Sequence, residues 1–296
     1  MSIFIGSGVA LCTPFCAGGN FDGDVYEKLI HFHAQSGTAA IVTCGTTGEV
    51  STLTQEEHIE VVRTAVLAAK KQARKMPVIA GAGGNDTAQC VRMGQALKQA
   101  GADALMYVTP YYNKASQGGL LAHYQHIAAN VDMPIIVYNV PSRTTVNLQP
   151  KTLAQLANLP NIQAVKEASG DISQIAEVAE RCDGKLDIYV GNDDQILPTL
   201  SLGGVGVIST VANIVPTRVQ GIVDAFLQGD VLESRRLQLG ILPLVRLMFA
   251  DVNPMPVKAA LRLMGYNMGQ CRLPLTDISL AHASELAQIM KAKDLV

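Results

Sequence analysis

A chain of 296 residues, 48% of them hydrophobic, can bury a large core, which excludes an intrinsically disordered protein. Its formal net charge of −2 and the absence of a polybasic run exclude an electrostatic footprint for nucleic acid or an anionic membrane surface, so partners are expected among small molecules and other subunits. Six cysteines, Cys12, Cys16, Cys44, Cys90, Cys182 and Cys271, are scattered without zinc-type pairing, as in a reduced cytoplasmic protein rather than a disulfide scaffold. The apolar run at 3–12 is short, broken by Gly6 and Gly8 and preceded by no basic region, so it reads as a first strand and not as a signal peptide. No stretch reaches the length of a membrane span.

In chain order, short apolar runs at 8–11, 39–44, 78–81, 104–109, 135–138, 164–166, 187–190 and 206–209 read as strands. Longer helical patterns alternate with them; those at 54–73 and 86–100 open on the capping residues Thr54 and Asp86. Eight alternations at this spacing predict an α/β fold, a (β/α)8 TIM barrel of parallel strands buried on both faces, with an open doubly wound sheet as the alternative. After about Pro216 the strand signals stop. Helices are expected at 217–228, 231–250, 256–265 and 278–293, which divides the chain into a catalytic barrel, 1–225, and a helical extension, 226–296, packed on it. The extension carries Leu232, Leu239, Leu242, Val245, Leu247 and Phe249 at helical spacing, and these require a partner surface, either the barrel or another subunit.

Active sites of such barrels lie where the strands end. The second strand ends in Gly45-Thr46-Thr47-Gly48-Glu49, the fourth in Thr109-Pro110-Tyr111-Tyr112-Asn113, the fifth in Tyr138-Asn139-Val140-Pro141-Ser142-Arg143, and the sixth in Lys166-Glu167-Ala168. The Gly-Thr-Thr-Gly segment offers hydroxyls and backbone N–H groups for a carboxylate, although such clusters are also ordinary turns. Tyr138 can relay a proton or merely pack, and Arg143 can hold a carboxylate in bidentate fashion or sit in solvent. Lys166 is either a strand-end lysine with its head in water or a desolvated amine, and burial among apolar neighbours favours the neutral, nucleophilic form of an amine. Lys114, the rival amine, lies in a polar loop. His31 and His33, two residues apart in a helical stretch, point away from each other, so no metal site is expected. The glycines at 203–206 read as a tight turn and close packing.

Taken together, the motifs Gly45-Thr46-Thr47-Gly48-Glu49, Tyr138 to Thr144 and Lys166-Glu167-Ala168 resemble the signatures of the pyruvate-dependent class I aldolase and lyase family that includes dihydrodipicolinate synthase and N-acetylneuraminate lyase. Thr109-Pro110-Tyr111-Tyr112-Asn113, Gly206-Val207-Ile208-Ser209 and Asn253-Pro254-Met255-Pro256-Val257-Lys258 extend the resemblance along the whole chain. The Thr-Thr and Tyr-Tyr pairs and Pro-Ser-Arg resemble the synthase branch, because the sialic-acid lyases usually lack this arginine. The resemblance implies condensation of pyruvate with L-aspartate-4-semialdehyde in lysine and diaminopimelate biosynthesis. In that reading Lys166 forms the Schiff base, while Tyr138, Thr46 and Tyr112 relay protons, Tyr112 serving a neighbouring subunit. Thr47 holds the pyruvate carboxylate, Arg143 binds the second substrate, and the Ile208 carbonyl lies near the amine. It further implies no cofactor or metal, and a homo-oligomer, expected as a homotetramer built as a dimer of dimers. The alternatives are a sister aldolase or lyase acting on a sugar acid such as N-acetylneuraminate or 2-keto-3-deoxygluconate, and a silent barrel that senses a small acid. The resemblance also places a feedback site for lysine at Val50, Ser51, Gln55, His58, Asn85, Gln89 and Tyr111. Sensitive members carry an acid where this chain has Gln89, and a histidine where it has Gln55, so weak lysine feedback is expected.

Overall fold

The computed structural model describes residues 2–296. Eight strands, β1 (Gly6–Ala10), β2 (Ala40–Thr43), β3 (Val78–Gly81), β4 (Ala104–Val108), β5 (Ile135–Asn139), β6 (Ile162–Glu167), β7 (Asp187–Val190) and β8 (Gly206–Ser209), form one parallel sheet. The sheet closes where β1 pairs with both β2 and β8. The (β/α)8 barrel expected from the spacing is therefore the fold, and the open sheet is not.

Residue alternation along each strand decides what lies inside. Leu105, Tyr107, Ile135, Val137 and Val165 pack outward under the helices. Their neighbours Ala104, Met106, Ile136, Tyr138, Ala164 and Ala168 fill the barrel interior. Lys166, midway between Ala164 and Ala168, shares their parity and is carried inside with them. The interior is tightly filled towards the N-terminal ends of the strands. A Cβ on Gly206 would overlap the Gly6 carbonyl oxygen, so the expected close packing of the 203–206 glycines is met where β8 closes on β1. Just before β1, Phe4 stacks on Tyr189 with ring centroids 4.2 Å apart. The Tyr189 hydroxyl donates to the Phe4 carbonyl at 2.7 Å, and the pair floors the barrel.

Helix Gln55–Lys70 starts on the capping box expected from its sequence: Thr54 Oγ1 accepts from Glu57 N, and the Glu57 carboxylate accepts from Thr54 N. Beyond β8 come helices Pro216–Leu227, Val231–Met248, Met255–Leu263 and Leu280–Ala292. The second of these buries two of the six apolar residues singled out in the extension, Val245 and Leu247, with Leu244 beside them. Ser234, Gln238, Ile241, Val245 and Met248 turn inward, whereas Leu232 and Leu239 are 68% and 58% exposed. The polar members earn their places by satisfying backbone groups: Ser234 Oγ donates to the Ile222 carbonyl, and Gln238 accepts from Leu197 N and donates to the Asp193 carbonyl. Among the described residues no helix is long and apolar enough to cross a membrane.

Candidate active site

Lys166 lies in β6 between Tyr138 of β5 and Tyr189 of β7. It is 6% exposed, and its Nζ stands 4.3 Å from the centroid of the Tyr138 ring. Among the described residues the amine joins no ion pair. Space for its stem depends on Gly191 at the end of β7, where a Cβ would come within 3.0 Å of Lys166 Cε and 2.6 Å of Ala168 Cβ. The amine opens into a cavity of about 500 Å³ whose lining includes Thr46, Thr47, Tyr138, Arg143, Asp193 and Asn253. Five of the residues expected at the site, Lys166, Tyr138, Thr46, Thr47 and Arg143, thus converge on one space.

The threonines are held by a compact turn after β2. Gly48 N donates to the Gly45 carbonyl and Glu49 N to the Thr46 carbonyl, each at 3.1 Å, while Thr13 Oγ1 donates to the Gly48 carbonyl at 2.8 Å. Cys44 and Glu49, on either side of the turn, have φ of 53° and 54°, a left-handed conformation that non-glycine residues adopt at a cost when the surroundings over-determine it. Thr47 is buried, and its Oγ1 accepts from Asn253 Nδ2 at 2.9 Å.

Two expected residues do not line this cavity in the single chain. Tyr112, with φ of 70°, is 88% exposed and projects from the loop after β4; a single chain does not bring it into the Lys166 cavity. Ile208 is fully buried inside the barrel, and its side chain is not part of the cavity lining. Lys114 is exposed on its loop. His33 is buried, with Nδ1 2.9 Å from Thr38 Oγ1, and burial lowers its pKa to about 3; His31 lies on the surface beside Gln72.

A model of the dihydrodipicolinate synthetase family matches residues 3–293. The chain belongs to that family. The 4-hydroxy-tetrahydrodipicolinate synthase of Lachnoclostridium phytofermentans is 50% identical over 297 residues, which cover 100% of both chains. Among solved structures, the chloride-inhibited dihydrodipicolinate synthase from Acinetobacter baumannii complexed with pyruvate is 39% identical over 99% of each chain, with a TM-score of 0.95. DHDPS from Cyanidioschyzon merolae with lysine bound is 38% identical over 100% of each chain, with a TM-score of 0.96. Family membership makes the chain an enzyme.

Among the cavity residues that carry no role in the sequence reading are Asp193, Arg246 and Asn253. Asp193 is fully buried, accepting from Ser209 Oγ at 2.5 Å and from the backbone N of Thr210 and Val211 at 3.1 and 3.0 Å. Burial pushes its carboxyl pKa up, against the pull of these bonds and of the nearby Lys166 charge. Its signal was available, because Gly191-Asn192-Asp193-Asp194 is also a strand ending, that of β7. Arg246 and Asn253 come from the extension, which therefore roofs the site.

A second cavity of about 480 Å³ adjoins the first, sharing Thr46, Val140, Arg143 and Asn253 with it. It is lined by all seven residues of the expected lysine site: Val50, Ser51, Gln55, His58, Asn85, Gln89 and Tyr111. His58 Nε2 donates to the Gly81 carbonyl at 2.8 Å, and burial lowers the imidazole pKa to about 4. One of its lining residues, Glu49, forms an ion pair of 2.6 Å with Lys258, both side chains 1% exposed.

Proposed function

We propose that the chain is a 4-hydroxy-tetrahydrodipicolinate synthase that condenses pyruvate with L-aspartate-4-semialdehyde. The observation that carries this reading is the buried, unpaired Lys166 amine opening into a cavity that also presents two threonines, a tyrosine and an arginine. The neutral amine adds to C2 of pyruvate and water leaves, giving an iminium; loss of a methyl proton gives the enamine. Its carbon attacks the aldehyde of the second substrate, and that substrate's own amine then adds to C2 and expels Lys166, closing the ring. Net, the two substrates give one cyclic product and water.

Thr47 and its turn hold the pyruvate carboxylate, and Arg143 at the rim takes the carboxylate of the semialdehyde, a contact a sugar-acid lyase would not need. Tyr138 and Thr46 move the proton with Tyr112 supplied by a neighbouring copy, within a homotetramer. The six unpaired cysteines fit the reduced cytoplasm, where we place the enzyme. No step calls for a metal or an organic cofactor.

Borohydride reduction in the presence of pyruvate, followed by peptide mass mapping, tests the reading. The expected adduct is on Lys166; an adduct on Lys114, or none, overturns it.

The second cavity is expected to respond weakly to lysine. Its one lining carboxylate among the described residues, Glu49, is committed to Lys258 and to the backbone N of Arg272. Gln89 and Gln55 are neutral, so a bound ammonium has no free counter-charge. The initial rate is expected to stay above half its value in millimolar L-lysine; half-inhibition below that concentration refutes the expectation.

A further inference from the structure

The contact between the extension and the carboxylate cradle has a direction. Asn253 lies between helices Val231–Met248 and Met255–Leu263, is 6% exposed and donates through Nδ2 to Thr47 Oγ1 at 2.9 Å. A hydroxyl has one proton to give and two lone pairs to receive on. With one lone pair taken by the amide, the Thr47 proton must point elsewhere. Its other polar neighbour is Thr210 Oγ1, at 3.5 Å, the outer limit of a hydrogen bond. The proton is thus left for whatever occupies the cavity, beside the Lys166 amine.

Asn253 Oδ1 is buried with no hydrogen-bond partner among the described residues, an arrangement that costs stability. Turning the amide over would reverse the contact: Oδ1 would accept from Thr47, both amide protons would lose the acceptor that Thr47 supplies, and the Thr47 proton would be drawn away from the cavity.

Resting on the function proposed above, we propose that Asn253 is a positioning residue for the 2-oxo acid: by donating to Thr47 it aims the Thr47 hydroxyl proton at the substrate carboxylate. The helical extension then contributes to selection of an anionic ketone and not only to packing.

Asn253→Asp is nearly isosteric but offers an acceptor where the amide offered a donor. It is expected to raise KM for pyruvate about tenfold or more, the value of one hydrogen bond to a charged group, with a much smaller change in kcat at saturating pyruvate. Asn253→Ala is expected to act in the same direction. The second readout is the rate of borohydride trapping with pyruvate against methyl pyruvate, a neutral ester. Loss of carboxylate recognition lowers the pyruvate rate and leaves the ester rate nearly unchanged, whereas general damage to the site lowers both. In a Thr47→Ala background Asn253→Ala should add little further loss, because its effect runs through Thr47. Unchanged pyruvate KM in Asn253→Asp, equal losses for acid and ester, or additive losses with Thr47→Ala overturn the assignment of Asn253 alone. Failure of the unsubstituted enzyme to trap pyruvate on Lys166 overturns the proposed function, and this assignment with it.

Discussion

Lys166→Ala is expected to abolish the pyruvate adduct and to lower turnover by about four orders of magnitude or more, because the covalent route disappears with the nucleophile and nothing else in the cavity replaces it. The other lysine near a strand ending, Lys114, is exposed and absent from the cavity lining. The fold should survive. The lost amine makes no ion pair among the described residues, and the space it leaves opens into a cavity that already admits water. Lys166→Arg is expected to be equally inactive, since a guanidinium stays protonated and cannot add to a ketone. Trapping experiments and circular dichroism melts on both variants check this; residual adduct formation in either would assign the Schiff base elsewhere.

Lys258→Met is expected to have the largest effect on stability, about 3–5 kcal/mol, because it leaves the Glu49 carboxylate buried without its charge partner. Glu49 Oε1 accepts from Lys258 Nζ at 2.6 Å, and Glu49 Oε2 from Arg272 N at 2.9 Å. Lys258 Nζ also donates to the Gln270 carbonyl at 3.1 Å and stands 4.3 Å from the Phe15 ring centroid. The pair joins the turn that carries Thr46 and Thr47 to helix Met255–Leu263 and, through the Gln270 carbonyl and Arg272 N, to the segment after it. Its loss should therefore weaken both the protein and the carboxylate cradle. The double variant Glu49→Gln/Lys258→Met removes both charges and is expected to recover part of the loss. Urea unfolding of the single and double variants measures this; a Lys258→Met loss below about 1 kcal/mol, the range of an exposed pair, refutes it.

The legible parts of the fold were those fixed by local pattern. Runs such as Ile135-Ile136-Val137-Tyr138 read as buried strands from their shortness and β-branched content, and Thr54 and Glu57 announce a helix start within four residues. The cavity residues at strand ends, Lys166, Tyr138, Thr46, Thr47 and Arg143, were legible for a related reason, since a barrel brings every strand ending to one face and the motifs resembled a known set. What escaped was made by contacts distant in the chain. Asn253 and Thr47 are |i−j|=206 apart, and no periodicity links them. The inward-facing Ser234 and Gln238 of helix Val231–Met248 were not legible because they look like surface residues. They turn inward only because Ile222, Leu197 and Asp193 offer backbone groups there, information that a count of leucines does not contain.

The stacked rings of Phe4 and Tyr189 make the barrel a cul-de-sac. With its far end stopped, the cavity opens on the side roofed by the extension and rimmed by Arg143, so on the proposed chemistry pyruvate reaches Lys166 past the place proposed for the larger substrate. On the proposed chemistry, traffic then has a fixed order: pyruvate enters first and is held on the amine, the semialdehyde follows, and Lys166 is released for another round only when ring closure expels it.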